Sequence, residues 1–205
     1  AVLKDLSHLP APAAVQQLHH YAYKARDAEE TRHFYEDILG LPLYHIIQSD
    51  YVPSTGEYCP YTHFFFRLLD GSFIAFFDLG DDEAALPSPN TPLWVNHISF
   101  RVDTEQELEN TKARLQAHGV EVLRVTDHHI FKSIYFFDPN GIRLELSAQL
   151  ANDEQMEKDS TVAHARLQEW TARKEQWRQE RAAGKAAEPL KPQANDRPEF
   201  VPKAS

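Results

Sequence analysis

The sequence predicts an α+β fold, in which two paired βαβββ modules form one curved eight-stranded sheet with helices outside, followed by a C-terminal helical tail. Three observations lead there. A strand, a helix and three further strands can be read in that order over about residues 16–80, and the same order returns over residues 94–148. Each helix opens on a capping pair, Asp27 with Glu30 and Thr104 with Glu107, and stops at a glycine, Gly40 and Gly119. Neither half has a second layer with which to cover its own sheet, so the two halves should pair around one core.

The elements follow in order. Residues 1–15 hold two prolines and little periodicity and read as a leader ahead of the paired modules, which span 16–148. HHYAYKA alternates as a strand, and Phe34, Tyr35, Ile38 and Leu39 recur at helical spacing up to Gly40. LPLYHII, THFFFRLL and SFIAFFDL are β-rich runs, separated by the polar loop QSDYVPSTGEYCPY and the turn at Asp70-Gly71. In the second module WVNHISFRV is the first strand, Leu108 and Leu115 mark the helix, and VEVLRV, SIYFF and IRLELS complete the sheet. The tail, 149–205, begins with a Glu-, Lys- and Arg-rich stretch whose Leu167, Trp170 and Trp177 share one helical stripe. Two tryptophans on an open stripe would favour aggregation, so this helix should dock on the sheet or on a second subunit. From Ala186 onward four prolines predict extended or disordered chain.

Composition narrows the function classes. The chain has 205 residues, 42% of them hydrophobic, with 12 Phe and 8 Tyr, enough to build a core. A net charge of -10 opposes a phosphate backbone, so no nucleic-acid partner is expected. Cys59 is alone, which rules out an intrachain disulfide, and it has no His at a spacing that suggests a nucleophile. No apolar run has signal-peptide or membrane-spanning character, so a soluble, cytoplasmic protein with no membrane partner is expected.

Strand parity then places the chemistry. If Ile98, Phe100 and Val102 pack beneath the helices, His97 faces the concave side. By the same count His20 looks inward from the first strand while Tyr21, Tyr23 and Ala25 pack outward, and Arg143 and Glu145 look inward from the last. His19 rivals His20, but its parity turns it toward the helices unless a bulge intervenes. A lone inward His or Glu is usually a hydrogen-bonded cleft residue. Two imidazoles and a carboxylate from three strands of one sheet instead suit one divalent ion, with positions left open in the manner of non-haem Fe(II). Mn(II) and Zn(II) fit the same donors.

The segments LHHYAYKARDAEETRHFYEDILGLPL, NHISFRV and SIYFFDPNGIRLELS resemble the vicinal oxygen chelate superfamily of glyoxalases, bleomycin resistance proteins and dioxygenases. The closing motif DHHIFKSIYFFDPNGIRLEL is most similar to small, single-domain type I extradiol catechol dioxygenases. The resemblance implies a metal-binding cup held by His20, His97 and Glu145. It also implies a substrate-side tyrosine at Tyr135 and an acid-base histidine at His128, with His129 as the alternative register. Glyoxalase-like members take a fourth carboxylate ligand from the first module, but aligning Gly71 with Gly141 puts Ala75 there. On that alignment His63, Phe65, Phe73 and Phe77 line the inner face, His63 as a further catalytic candidate and the three phenylalanines as a surface for a planar ring.

The function so implied is Fe(II)-dependent extradiol cleavage of a catechol, with a small aromatic substrate and dioxygen as partners and a homodimer as the assembly. The alternatives are a metal-dependent lyase or isomerase of the glyoxalase kind and a protein that only binds a drug or metabolite.

Overall fold

The computed structural model describes residues 14–123, 125–127, 131–150 and 153–185. The first module contains β1 (His20–Ala25), α1 (Ala28–Arg32) with a π-helical continuation (His33–Ile38), β2 (Leu43–Tyr51), β3 (Tyr58–Arg67) and β4 (Phe73–Asp78). The second contains β5 (Ile98–Val102), α2 (Glu105–Ala117), β6 (Val125–Asp127), β7 (Phe131–Phe137) and β8 (Arg143–Gln149), and α3 (Asp153–Ala182) follows. Both capping pairs form. Asp27 accepts from the Glu30 backbone N–H, and Thr104 and Glu107 complete a reciprocal box, each cap worth about 1 kcal/mol. Gly40 ends the first helix with φ 78°, a left-handed conformation that glycine adopts without strain.

The expected eight strands lie in two four-stranded sheets, ordered β1-β4-β3-β2 and β5-β8-β7-β6, with no ladder joining them among the described residues. In each, the first strand pairs in parallel with the last and the remaining pairs are antiparallel. Helices cover one face of both sheets. Phe34, Tyr35, Phe66, Phe76, Leu108, Leu115, Phe136 and Leu144 form one buried cluster drawn from both modules. Complete burial of each such side chain is worth roughly 1.5–3 kcal/mol, so this shared layer is what joins the halves.

Polar contacts fix the junction. The Tyr35 hydroxyl donates to Asp138 Oδ2 at 3.0 Å, Asn140 Nδ2 donates to Thr31 Oγ1 at 3.1 Å, and the Arg26 backbone N–H donates to Asn140 Oδ1 at 2.8 Å. Arg114 donates to the Ile38 and Asp37 carbonyls at 2.7 and 2.6 Å. Burial pushes the Asp138 carboxyl up to about 6, against the pull of its hydrogen-bond donors.

Several boundaries differ from the sequence reading. The polar segment between the second and third strands, a loop by composition, is a hairpin, with Tyr51 paired to Tyr58 and Val52 N–H donating to the Glu57 carbonyl at 2.9 Å. Cys59 therefore lies in β3. Trp94–Asn96 form a turn, so His97 stands one residue ahead of β5, and the strand read at VEVLRV is reduced to β6. Tyr21, which parity sends outward to pack beneath a helix, is 46% exposed and meets the Tyr23 ring at 4.6 Å. On α3, Leu167 and Trp170 stay exposed and do not dock on this chain's sheets. Trp170 instead meets Trp177 edge to face at 5.5 Å, with Arg173 over the Trp177 ring, so the stripe satisfies part of its surface along the helix itself.

Candidate metal centre

The ladders show which side chains share each concave face. In the first module His20 pairs across to Phe73, Ala22 to Ala75 and Lys24 to Phe77, while Phe65 lies opposite Ala75 and His63 opposite Phe77. In the second, Ser99 and Tyr135 flank Glu145, and Ser133 and Arg101 flank Ser147. The inward parity expected for His20, Glu145, Tyr135, His63, Phe65, Phe73 and Phe77 is the parity found.

Glu145 is the centre of the second face. Its side chain is 5% exposed, its Oε1 accepts from the Tyr135 hydroxyl at 2.8 Å, and its Oε2 lies 3.0 Å from His97 Nε2. Burial pushes its carboxyl up, but Ser133, Tyr135, Ser147 and His97 outweigh that and hold it below the usual glutamate range. The carboxylate is therefore ionised near neutrality. Burial pushes the Tyr135 phenol up, and the Glu145 carboxylate pushes the same way, so the hydroxyl keeps its proton.

The His97–Glu145 contact tests whether these donors suit a cation. His97 Nδ1 lies 3.1 Å from the Val95 carbonyl, which can only accept, so Nδ1 carries a hydrogen. In the neutral ring Nε2 then points a lone pair at a carboxylate oxygen, and the pair needs a proton or a metal ion between them. Two donors about 2.1 Å from a common ion and at right angles to each other stand about 3.0 Å apart, so the observed spacing suits an ion. The donor set fits a divalent metal.

His20 is on the other face. Its ring lies edge-on to Phe65 and His63, with centroids at 5.7 and 6.1 Å, and its Nδ1 is 2.8 Å from His19 Nδ1. Among the described residues no three His, Cys, Asp or Glu side chains converge to hold an ion, so one chain unites His97 and Glu145 but not His20. His63 is buried, stacks on Phe77 at 3.7 Å, and donates from Nδ1 to the Phe76 carbonyl at 2.9 Å, leaving Nε2 as an acceptor. Burial pushes its pKa down and keeps it neutral. Phe73 packs against Phe65 and Tyr44. His128 and its rival His129 fall outside the described residues.

Parity places Arg143 on the inner face without giving it a role. Its Cζ lies 4.3 Å above the Tyr135 ring, and its Nε is buried without a hydrogen-bond partner among the described residues. The residues binding Asp138 also escaped the sequence reading, although the DPNG tetrapeptide marks a turn whose Asp can accept its own backbone N–H groups.

A family model for the Glyoxalase/Bleomycin resistance protein/Dioxygenase superfamily matches residues 17–146, and the chain belongs to that superfamily. The metallothiol transferase FosB of Staphylococcus saprophyticus is 27% identical over 158 residues, 76% of this chain and 92% of that protein. "Putative ring-cleaving dioxygenase MhqA" of Bacillus subtilis is 38% identical over 53 residues, which is 26% of this chain and 17% of that one. A glyoxalase/dioxygenase structure from Nostoc punctiforme superposes with a TM-score of 0.51 at 22% identity, covering 70% of this chain and 97% of that one. A mutant of the fosfomycin resistance protein FosX of Listeria monocytogenes, complexed with Mn(II) and 1S,2S-dihydroxypropylphosphonic acid, gives 0.50 at 22%, covering 70% and 98%. At such identities these two structures show the shared fold.

Proposed function

We propose that this chain is a divalent-metal enzyme that cleaves the ring of a catechol-type diol in the extradiol manner with Fe(II), and that it works as a homodimer. His20 of one copy would complete the ion's ligands with His97 and Glu145 of the other. The observation that carries the reading is that Ala75 stands where the second module has Glu145. With no second carboxylate, three protein donors leave room on the ion for a chelating diol and dioxygen. Phe65, Phe73 and Phe77 supply a flat apolar wall for the ring.

A bound divalent ion would supply the chelating and redox centre that joins diol and dioxygen. The residues do the rest. Tyr135, which stays protonated, holds Glu145 through its hydroxyl and can turn that donor to a substrate oxygen. His63 Nε2 is an acceptor for a catechol proton, and His128 keeps its proposed place as acid and base. Both atoms of dioxygen enter the ring-opened product, so no external reductant is needed. The test is oxygen uptake by protein loaded anaerobically with Fe(II), across a catechol panel, with a coloured ring-opened product expected. Absence of uptake with bound iron and every catechol defeats the reading.

A second reading has its own support, because the FosB relative matches over 76% of this chain whereas MhqA matches over 26% of it. It makes the protein a metal-dependent transferase that adds a thiol to a small electrophile. Thiol consumption with Mn(II) loaded and oxygen excluded distinguishes the two.

A further inference from the structure

The inner face of the second module carries a cation that the metal site does not use. Arg143 opens β8, two residues ahead of Glu145 and on the same face. Its guanidinium lies over the Tyr135 ring, whose hydroxyl is already committed to Glu145. Among the described residues no carboxylate forms an ion pair with Arg143, and its Nε is buried with no acceptor. A desolvated guanidinium without an anion is costly, and the fold tolerates it here only because stacking on the phenol ring recovers part of the loss.

A second copy would not supply the missing anion from its sheet. The inner face of the first module presents His20, Lys24, His63, Phe65, Arg67 and Phe77, with no Asp or Glu. Asp78, at the end of β4, has the opposite parity and accepts from the Ala28 backbone N–H at 2.8 Å. Room for a ligand group exists beside Arg143. It forms part of the wall of a cavity of about 300 Å³ with Phe137, Asn96, Pro92 and Leu86, between the strand ends and the segment that links the modules. That volume is at the small end of ligand sites.

We propose that Arg143 is the specificity determinant of the cup and takes an anionic oxygen group of the substrate, a carboxylate or phosphonate, beside the metal on the His97 side. This rests on the metal-site reading above and adds the class of substrate. A guanidinium offers two parallel N–H donors to such a group, and a planar ring lying over the phenylalanines can carry the group toward the cavity.

The experiment measures dissociation constants for the metal-loaded full chain with catechol, 3,4-dihydroxybenzoate, benzoate and phenylphosphonate, for wild type, Arg143→Gln and Arg143→Lys. Metal content is determined for each. The wild type should prefer 3,4-dihydroxybenzoate to catechol, and Arg143→Gln should shrink that ratio about ten- to hundredfold, the usual worth of a charge-assisted pair. Arg143→Lys, which keeps the charge and loses the fork, should fall between. Benzoate and phenylphosphonate report which anion is preferred without any diol. Arginine-dependent binding of these anions, with no oxygen uptake from any catechol, supports the anion site while defeating ring cleavage. An unchanged acid-to-neutral ratio in Arg143→Gln, at full metal content, overturns the proposal. So does equal loss of catechol and acid.

Discussion

The turn that follows β3 and the turn that follows β7 are closed by the same two hydrogen bonds. In the first, Leu68 N–H donates to the Ser72 carbonyl and Gly71 N–H to that of Leu68, at 2.9 and 3.1 Å. In the second, Asp138 N–H donates to the Ile142 carbonyl and Gly141 N–H to that of Asp138, both at 3.0 Å. Equal steps from these turns set Leu68 against Asp138, Phe65 against Tyr135, Phe73 against Arg143 and Ala75 against Glu145. Each of these chemically active groups of the second module thus has an apolar counterpart in the first. The difference teaches that one backbone serves two duties. One face is an aromatic wall with imidazoles, the other a charged donor set, and a cup requires one of each.

The largest effect should come from separating the two faces genetically. His20→Ala and Glu145→Ala should each bind almost no metal as purified, because each removes a ligand from every site. Mixed and reassociated, they should recover metal if ligands come from different copies, since each heterodimer would then hold one intact site. Recovery of no metal would show that each chain completes its own site. Next in size is Ala75→Glu, which makes the faces alike. Ala75 is fully buried, so an added carboxylate without an ion should lower metal-free stability by about 3–5 kcal/mol in denaturant titration. Rescue by excess divalent metal would show that the first face can serve as a metal site too.

The contrast between Leu68 and Asp138 predicts a pH effect. Asp138 titrates at about 6 in the fold against about 3.9 when unfolded, so the native state binds more protons between those values. Its contribution should therefore be full below pH ~4, decline as pH rises to ~6 and stay constant above. The total is on the order of a few kcal/mol, and Asp138→Asn should remove the slope, whatever its absolute stability. Unfolding midpoints of both proteins from pH ~4 to ~7 measure it. The smallest effect belongs to Tyr135→Phe, which should cost about 1 kcal/mol in stability through the lost Glu145 bond and weaken metal binding mildly. Unchanged metal affinity and stability would show that the phenol does not hold the ligand.

Periodicity carried most of the sheet and much of the site. Alternation put His20, His63, Tyr135 and Glu145 on inner faces because a strand's parity cannot change without a bulge. The hairpin around Gly56 escaped because Pro, Ser and Gly there look like loop, yet edge strands accept polar residues and β2 and β3 pair through Tyr51 and Tyr58. That His20 would lie apart from His97 was illegible for a different reason. Which sides of the modules meet depends on Phe34, Tyr35 and Phe136 packing between them, and strand parity is silent about that choice.

The π-helical stretch has a consequence for insertion and deletion. Leu39 N–H bonds to the Phe34 carbonyl, five residues back, at 3.0 Å, so the turn holds one residue more than an α-helix would. That extra residue lets Phe34, Tyr35 and Ile38 all be buried while Tyr35 still reaches Asp138. A chain that lost one residue here would regain ordinary winding and swing everything beyond it by about 100°. Gly40, the carbonyls that Arg114 grips and the entry to β2 would turn with it, so this helix tolerates substitution far better than a change in length.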